Sequence, residues 1–261
     1  MNTTMMKKAT FLTVATLFFL ILGCNNGNKA DKIIDIEKEF TFQLWEQLDE
    51  YGGNFQLLAA TIQNQKCSGT RIEHSQNIIN NKITVSLKAL TPPPSCDGKL
   101  TPALDTINLG NLAKGTYKFN INLKDVVLND GTLVVDDKKY TVSMTKEDGI
   151  DVPNKEVLRV PRGAIWGYVS YENGQEAKIA KFNDNLSRIA TPLSISHGDY
   201  GYFIVKPSAV DIKTSIDTKK SNVRQILYTL TGSRLELQSL IQEYRNQGLD
   251  IKILTFDGKV L

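Results

Sequence analysis

The chain has 261 residues, and its 31 Lys and Arg face 28 Asp and Glu for a formal net charge of +3. So small an excess gives no basic face of the kind nucleic acid selects, and a nucleic-acid partner is not expected. The composition, 41% hydrophobic, suffices for one large or two ordinary domains, while two His and three Cys leave little material for a metal centre.

Lys7 and Lys8 open the chain, an apolar run follows from Phe11 to Leu22, and it closes on Ile21-Leu22-Gly23-Cys24. Positive start, apolar middle and small-residue close make a secretory signal. The run falls well short of the ~20 residues of a membrane-spanning helix. Ordinary secretory cleavage wants small residues at −1 and −3; Gly23 suits and Ile21 does not. The four closing residues resemble the lipobox of bacterial lipoproteins. That resemblance implies a signal peptide over 1–23, cleavage before Cys24, lipid on its sulfur and on its new amino group, and hence a membrane partner. Several acyl chains hold stably without a basic patch. Asn25, where Asp would signal retention, implies by the same resemblance the outer membrane. Residues 24–32 are polar and aperiodic, a flexible tether. Loss of 1–23 leaves 29 basic residues, 31 less two lysines, against 28 acidic ones.

Residues 33–145 carry strand signals. Their start is ambiguous: Phe40, Phe42 and Leu44 alternate, whereas Leu44, Trp45, Leu48 and Tyr51 have helical spacing, and a short amphipathic helix is favoured over the second part. Phe55–Ile62, Lys82–Leu90, Thr116–Leu123, Thr132–Val135 and Lys139–Met144 are rich in β-branched and aromatic residues, with turns expected at Asn129-Asp130-Gly131 and Asp136-Asp137. The spacing predicts an antiparallel β-sandwich. With Cys24 assigned to lipid, an exported chain keeps Cys67 and Cys96, expected as one disulfide rather than two buried thiols. Leu112-Ala113-Lys114-Gly115-Thr116-Tyr117, within 109–123, resembles the tyrosine corner of Greek-key sandwiches such as fibronectin type III and immunoglobulin-like domains. The resemblance implies that the Tyr117 hydroxyl bonds a nearby backbone group. Phe119 stands where an immunoglobulin cysteine would fall, and no Trp lies between Cys67 and Cys96, so an antibody-type domain is not implied.

Residues 146–155, polar with Gly149 and Pro153, read as a linker. Beyond it, 156–261 reads as a small α+β domain. Ala164–Tyr171 is a strand closed by Glu172-Asn173-Gly174, Ala177–Phe182 pairs with it as a hairpin, and Tyr200–Val205 is a further strand. Ser233-Arg234-Leu235-Glu236 is a capping box opening the one clear helix, with Leu237, Leu240, Ile241 and Tyr244 on one face and Gly248 at its end. Ile251–Phe256 is a strand. Val223–Thr231 fits a strand or a helical turn; as a strand it makes the helix a crossover between parallel strands.

Chemistry is sparse. His74 and His197 are isolated, no cofactor motif occurs, and no metal site is expected. Ser196-His197-Gly198-Asp199 gathers catalytic residue types, but neighbours in sequence point apart, so it reads as a turn. Asp136-Asp137 and Asp184 lack calcium-loop spacing and read as solvated turns. Trp166, Tyr168, Tyr171, Tyr200 and Tyr202 form the richest aromatic group, a ligand or partner surface on one view and core filling on the other. No catalytic residues are assigned. The expectation is a lipid-anchored envelope protein that acts by binding or assembly, with a protein or glycan partner. The alternatives are an envelope hydrolase with unidentified carboxylates and an accessory or inhibitor subunit of an outer-membrane complex.

Overall fold

A computed structural model describes residues 36–213 and 220–261. The segments expected as signal peptide and tether, with Cys24, lie outside the described residues. The fold is mostly β with a small α+β part at its C-terminal end. Residues Glu37–Leu261 form one compact unit.

The first half is a two-sheet sandwich. One sheet has the order β5-β2-β1-β9 and comprises β1 (Phe40–Asp49), β2 (Gly52–Thr61), β5 (Leu104–Gly110) and β9 (Ile150–Asp151). The other, ordered β10-β8-β7-β6-β4-β3, comprises β3 (Arg71–Ile79), β4 (Lys82–Thr91), β6 (Gly115–Leu123), β7 (Val127–Val135), β8 (Lys139–Met144) and β10 (Glu156–Leu158). Phe42, Phe55, Leu57, Ile83, Ile107, Phe119 and Leu133 fill the space between the sheets. Pairing is antiparallel except for β4 beside β6 and β1 beside β9, which run parallel.

Residues 44–51 are not helical. Alternation wins over the helical spacing because β1 pairs with β2 along its whole length, so Phe40, Phe42, Leu44 and Leu48 share the inner face. The β6–β7 turn is not at Asn129-Asp130-Gly131 but at Lys124–Val126, where Lys124 and Asp125 take φ of 52° and 54°. Gly131 sits mid-strand opposite Phe119, where a Cβ would press on the Ser143 carbonyl. Asn129 is buried and grips the next loop, donating from Nδ2 to the Asp148 carbonyl (2.9 Å) and accepting the Asp148 amide at Oδ1 (2.7 Å).

That grip corrects the linker reading of 146–155. Ile150 and Val152 are buried in the sandwich core, β9 pairs with β1, and the Lys155 carbonyl accepts from Val142 N at 2.7 Å. Polar spacing there reflects a chain crossing from one sheet to the other, not an exposed connection. Cys67 and Cys96 are joined, with Cα atoms 4.9 Å apart, and tie the β2–β3 loop to the β4–β5 loop. The Tyr117 hydroxyl donates to the Ala113 carbonyl at 2.8 Å.

The second half is a four-stranded sheet ordered β12-β16-β11-β17, built from β11 (Ala164–Tyr171), β12 (Ala190–Pro192), β16 (Asn222–Leu230) and β17 (Asp250–Thr255). Helices α1 (Glu176–Leu186) and α2 (Arg234–Asn246) complete a β-α-β-β-α-β, or split β-α-β, arrangement. Ala177–Phe182 is therefore helix rather than hairpin strand: Ile179, Phe182 and Leu186 recur at helical spacing and face the core. Asp184 lies on that helix's exposed face, not in a turn. Val223–Thr231 resolves as strand, parallel to β17 with β11 between them. The capping box is formed in both directions, Ser233 Oγ accepting from Glu236 N and Glu236 from Ser233 N. Between β12 and β16 the chain inserts a three-stranded meander, β13 (Gly198–Asp199), β14 (Phe203–Lys206) and β15 (Ala209–Ile212).

β11 is covered on both faces. Ile165 and Val169 meet the helices, while Ala164 and Trp166 meet Tyr200 and Phe203 of the meander and Leu48 from the end of β1. Gly167 is needed at its centre, since a Cβ would strike the Lys252 carbonyl of β17.

Candidate functional site

Where the sandwich meets the meander the chain leaves a cleft of about 870 Å³. One wall is the Asp136–Lys139 turn between β7 and β8, the floor is β10 with Arg159–Arg162 after it, and the other wall is Ser194–His197 with Tyr200. Its volume is in the range of small-molecule sites. A smaller cavity of about 220 Å³ lies behind, and Arg159, Val160 and Arg162 border both.

At the back stands Glu46, 2% exposed, on the inward face of β1. A buried carboxylate is costly unless its oxygens are bonded. Here Oε1 accepts from Arg159 Nε at 3.0 Å and from the Tyr140 hydroxyl at 3.1 Å, and Oε2 from Val160 N at 3.3 Å. The Arg159 guanidinium lies 5.1 Å from the Tyr140 ring centroid and donates to the Asp136 carbonyl at 3.2 Å. Burial, then the neighbouring carboxylate, push the Tyr140 hydroxyl above its ordinary range, so it stays protonated and donating. Gly53 makes room: a Cβ there would overlap the Glu46 carboxylate.

The walls are held by local chemistry. Asp136 accepts the amides of Lys138 (2.7 Å) and Lys139 (2.9 Å), and the Arg159 amide bonds the Lys138 carbonyl at 2.7 Å, which fastens the turn to β10. The Lys138 amide bond leads in holding the Asp136 carboxyl below its usual range despite partial burial, so it is an ionised acceptor. Lys139 pairs with Glu156, and Asp137 with Lys114. On the far wall the Tyr200 hydroxyl donates to the Ser196 carbonyl at 3.0 Å. These groups favour holding a polar or charged ligand, the carboxylates being tied to cations or amides.

Of the two views of the aromatic group, core filling is the one the packing follows. Trp166, Tyr168 and Tyr200 are buried, and Tyr171 and Tyr202 pack partly buried against the C-terminal clusters. Trp166 lies 5.2 Å from Tyr202 and 5.6 Å from Phe203, and Tyr202 lies 4.7 Å from Trp45. The Tyr202 hydroxyl accepts from Leu48 N at 3.2 Å, so this cluster joins the meander to the sandwich; only Tyr200 reaches the cleft. His197 lines the cleft, but Asp199 is turned away into an ion pair with Lys213, so Ser196-His197-Gly198-Asp199 does not converge. His74 lies at the far edge, 3.1 Å from Asp105. Among the described residues no three of His, Cys, Asp and Glu gather as a metal-binding group.

Sequence reasoning missed Glu46, Tyr140, Arg159 and Arg162. One signal was available: in Phe40, Phe42, Leu44, Glu46, Leu48 a charge stands at an inward position of an alternating strand, which requires a buried partner. Reading that stretch as helix hid it. No protein-family model, no curated protein and no solved structure matches this chain.

Proposed function

We propose that this chain is a lipid-anchored protein of the bacterial envelope, held at the outer membrane through Cys24, that works by binding a ligand or partner rather than by catalysis. The observation that carries the location is the Cys67–Cys96 bond, because such bridges persist in oxidising compartments and it is independent of the Ile21-Leu22-Gly23-Cys24 motif. The cleft beside Arg159–Arg162 supports the binding mode, being concave and charged, with its turn and the segment after β10 tied together by the Arg159 amide on the Lys138 carbonyl. A protein or glycan is the expected partner, and the near-neutral charge of the chain gives no support to nucleic acid.

Metabolic labelling with a palmitate analogue tests the anchor. Wild-type protein should take up label and fractionate with membranes, and Cys24→Ser should do neither; labelled Cys24→Ser protein would overturn the reading. Pull-down from detergent-solubilised envelopes tests the binding mode. A second reading, an envelope hydrolase, draws on Asp136, Asp137 and Glu156 lining the cleft. It requires a carboxyl able to give up a proton, whereas Asp136 is held ionised and the other two are ion-paired. Release of product from envelope glycans, lost in Asp136→Asn or Glu156→Gln, would favour it.

A further inference from the structure

The charge balance of the cleft points to a ligand class, and this step rests on the binding function proposed above. Lys139 is matched by Glu156, Arg159 by Glu46, and Asp137 by Lys114. Arg162, by contrast, is exposed at the cleft and has no hydrogen-bonded or ion-paired side chain among the described residues. The exposed Lys138 ammonium likewise has no ion-paired side chain among the described residues; Asp136, on which its charge acts, is already bonded to two backbone amides. His197 adds an imidazole to the lining. The same lining is apolar at Leu158, Val160, Pro161 and Ile195, of which Pro161 and Ile195 are the more exposed. A ligand that matched both would carry an anionic group at one end and a non-polar ring face beside it.

We propose that the cleft binds an anionic saccharide, with its carboxylate or phosphate on Arg162 and Lys138 and the C–H face of its ring against Pro161 and Ile195. Arg162 supplies the planar two-point donor that both anions fit, and Lys138 adds a mobile point charge. Uronate and sugar phosphate share this chemistry, and the cleft is large enough for more than one ring.

Calorimetric titration of detergent-solubilised full-length protein with glucuronate, glucose 6-phosphate and glucose tests the assignment. At least one anionic sugar should bind, and glucose should bind at least about tenfold more weakly, as loss of one charge-assisted contact implies. Binding of glucuronate alone assigns a carboxylate ligand, of glucose 6-phosphate alone a phosphate ligand, and of both a site for the shared charge. Arg162→Ala should weaken binding about tenfold and Lys138→Ala less, with Lys88→Ala on β4 as an unchanged control. Glucose binding as tightly as both acids, no binding of either acid, or full affinity in Arg162→Ala would overturn the proposal. Partner capture in pull-down with no anion binding would leave the binding function standing and remove only this ligand class. The titration is independent of lipid labelling.

Discussion

In the sandwich most strands hide one face and show the other, whereas β11 in the C-terminal half is covered on both by helices on one side and the meander on the other. The first half adds a disulfide and one bonded inward charge to an apolar core; the second relies on packing around a strand with almost no exposed surface. A sheet with one face in water is closed by a second sheet, while a doubly covered strand needs a separate layer on each side. The aromatic cluster of Trp45, Trp166 and Tyr202 is where the two schemes meet.

Removing the bridge should show the sandwich's dependence on its staple most strongly. Cys67→Ala with Cys96→Ala should cost about 3.5 kcal/mol in urea unfolding, from the freed loop of the unfolded chain. Hydrogen exchange should quicken first in β2, β3 and β4; an equal early rise in α2 would break the contrast. Glu46→Ala should cost about 3 kcal/mol, the lower end for a broken buried pair, because the Arg159 side chain keeps 23% exposure and can reach water. Since Glu46 bonds Val160 at the junction, exchange should rise in both β6 and β17. A rise confined to β6 would show that the halves are energetically separate.

Tyr117→Phe removes one hydroxyl bond to Ala113 and should lower stability by about 1 kcal/mol, read as a shift in urea midpoint at unchanged slope. The smallest effect concerns Asp257, which pairs with Arg234 at the start of α2. Burial opposes its ionisation, but the Thr255 hydroxyl and Arg234 outweigh it and hold the carboxyl below its ordinary value. A carboxyl depressed on folding stabilises above its unfolded pKa of about 3.9 and loses that contribution as pH falls through the folded value. Asp257→Asn should therefore differ from wild type by under about 1 kcal/mol at neutral pH, and less below about pH 4. A gap that widens in acid would contradict the sign.

Legibility followed the number of covered faces. The runs around Ile83 and Tyr117 were readable as strands because each shows a polar face to water. β3 and β5 were passed over because Arg71–Ile79 and Leu104–Gly110 bury few residues and their alternation is faint. α1 was mistaken for a strand because only three of its eleven residues are buried, so the short window looked alternating. The cleft was illegible because Glu46, Tyr140 and Arg159 stand 94 and 113 positions from their partners across the sequence.

By itself the sequence determined the local terms: the apolar run ending at Cys24, strand periodicity, the capping box at Ser233, the cysteine pair and a near-neutral charge. Each depends on neighbours within a turn or a strand, or on counting, so no long-range information is needed. Only the tertiary structure decided that 146–155 joins the sandwich, that Trp166 and its neighbours are core, and that Arg162 and Lys138 line one cleft. Those outcomes turn on which distant surfaces bury one another, and a polar or aromatic residue reads the same in sequence whether it meets water or a partner strand.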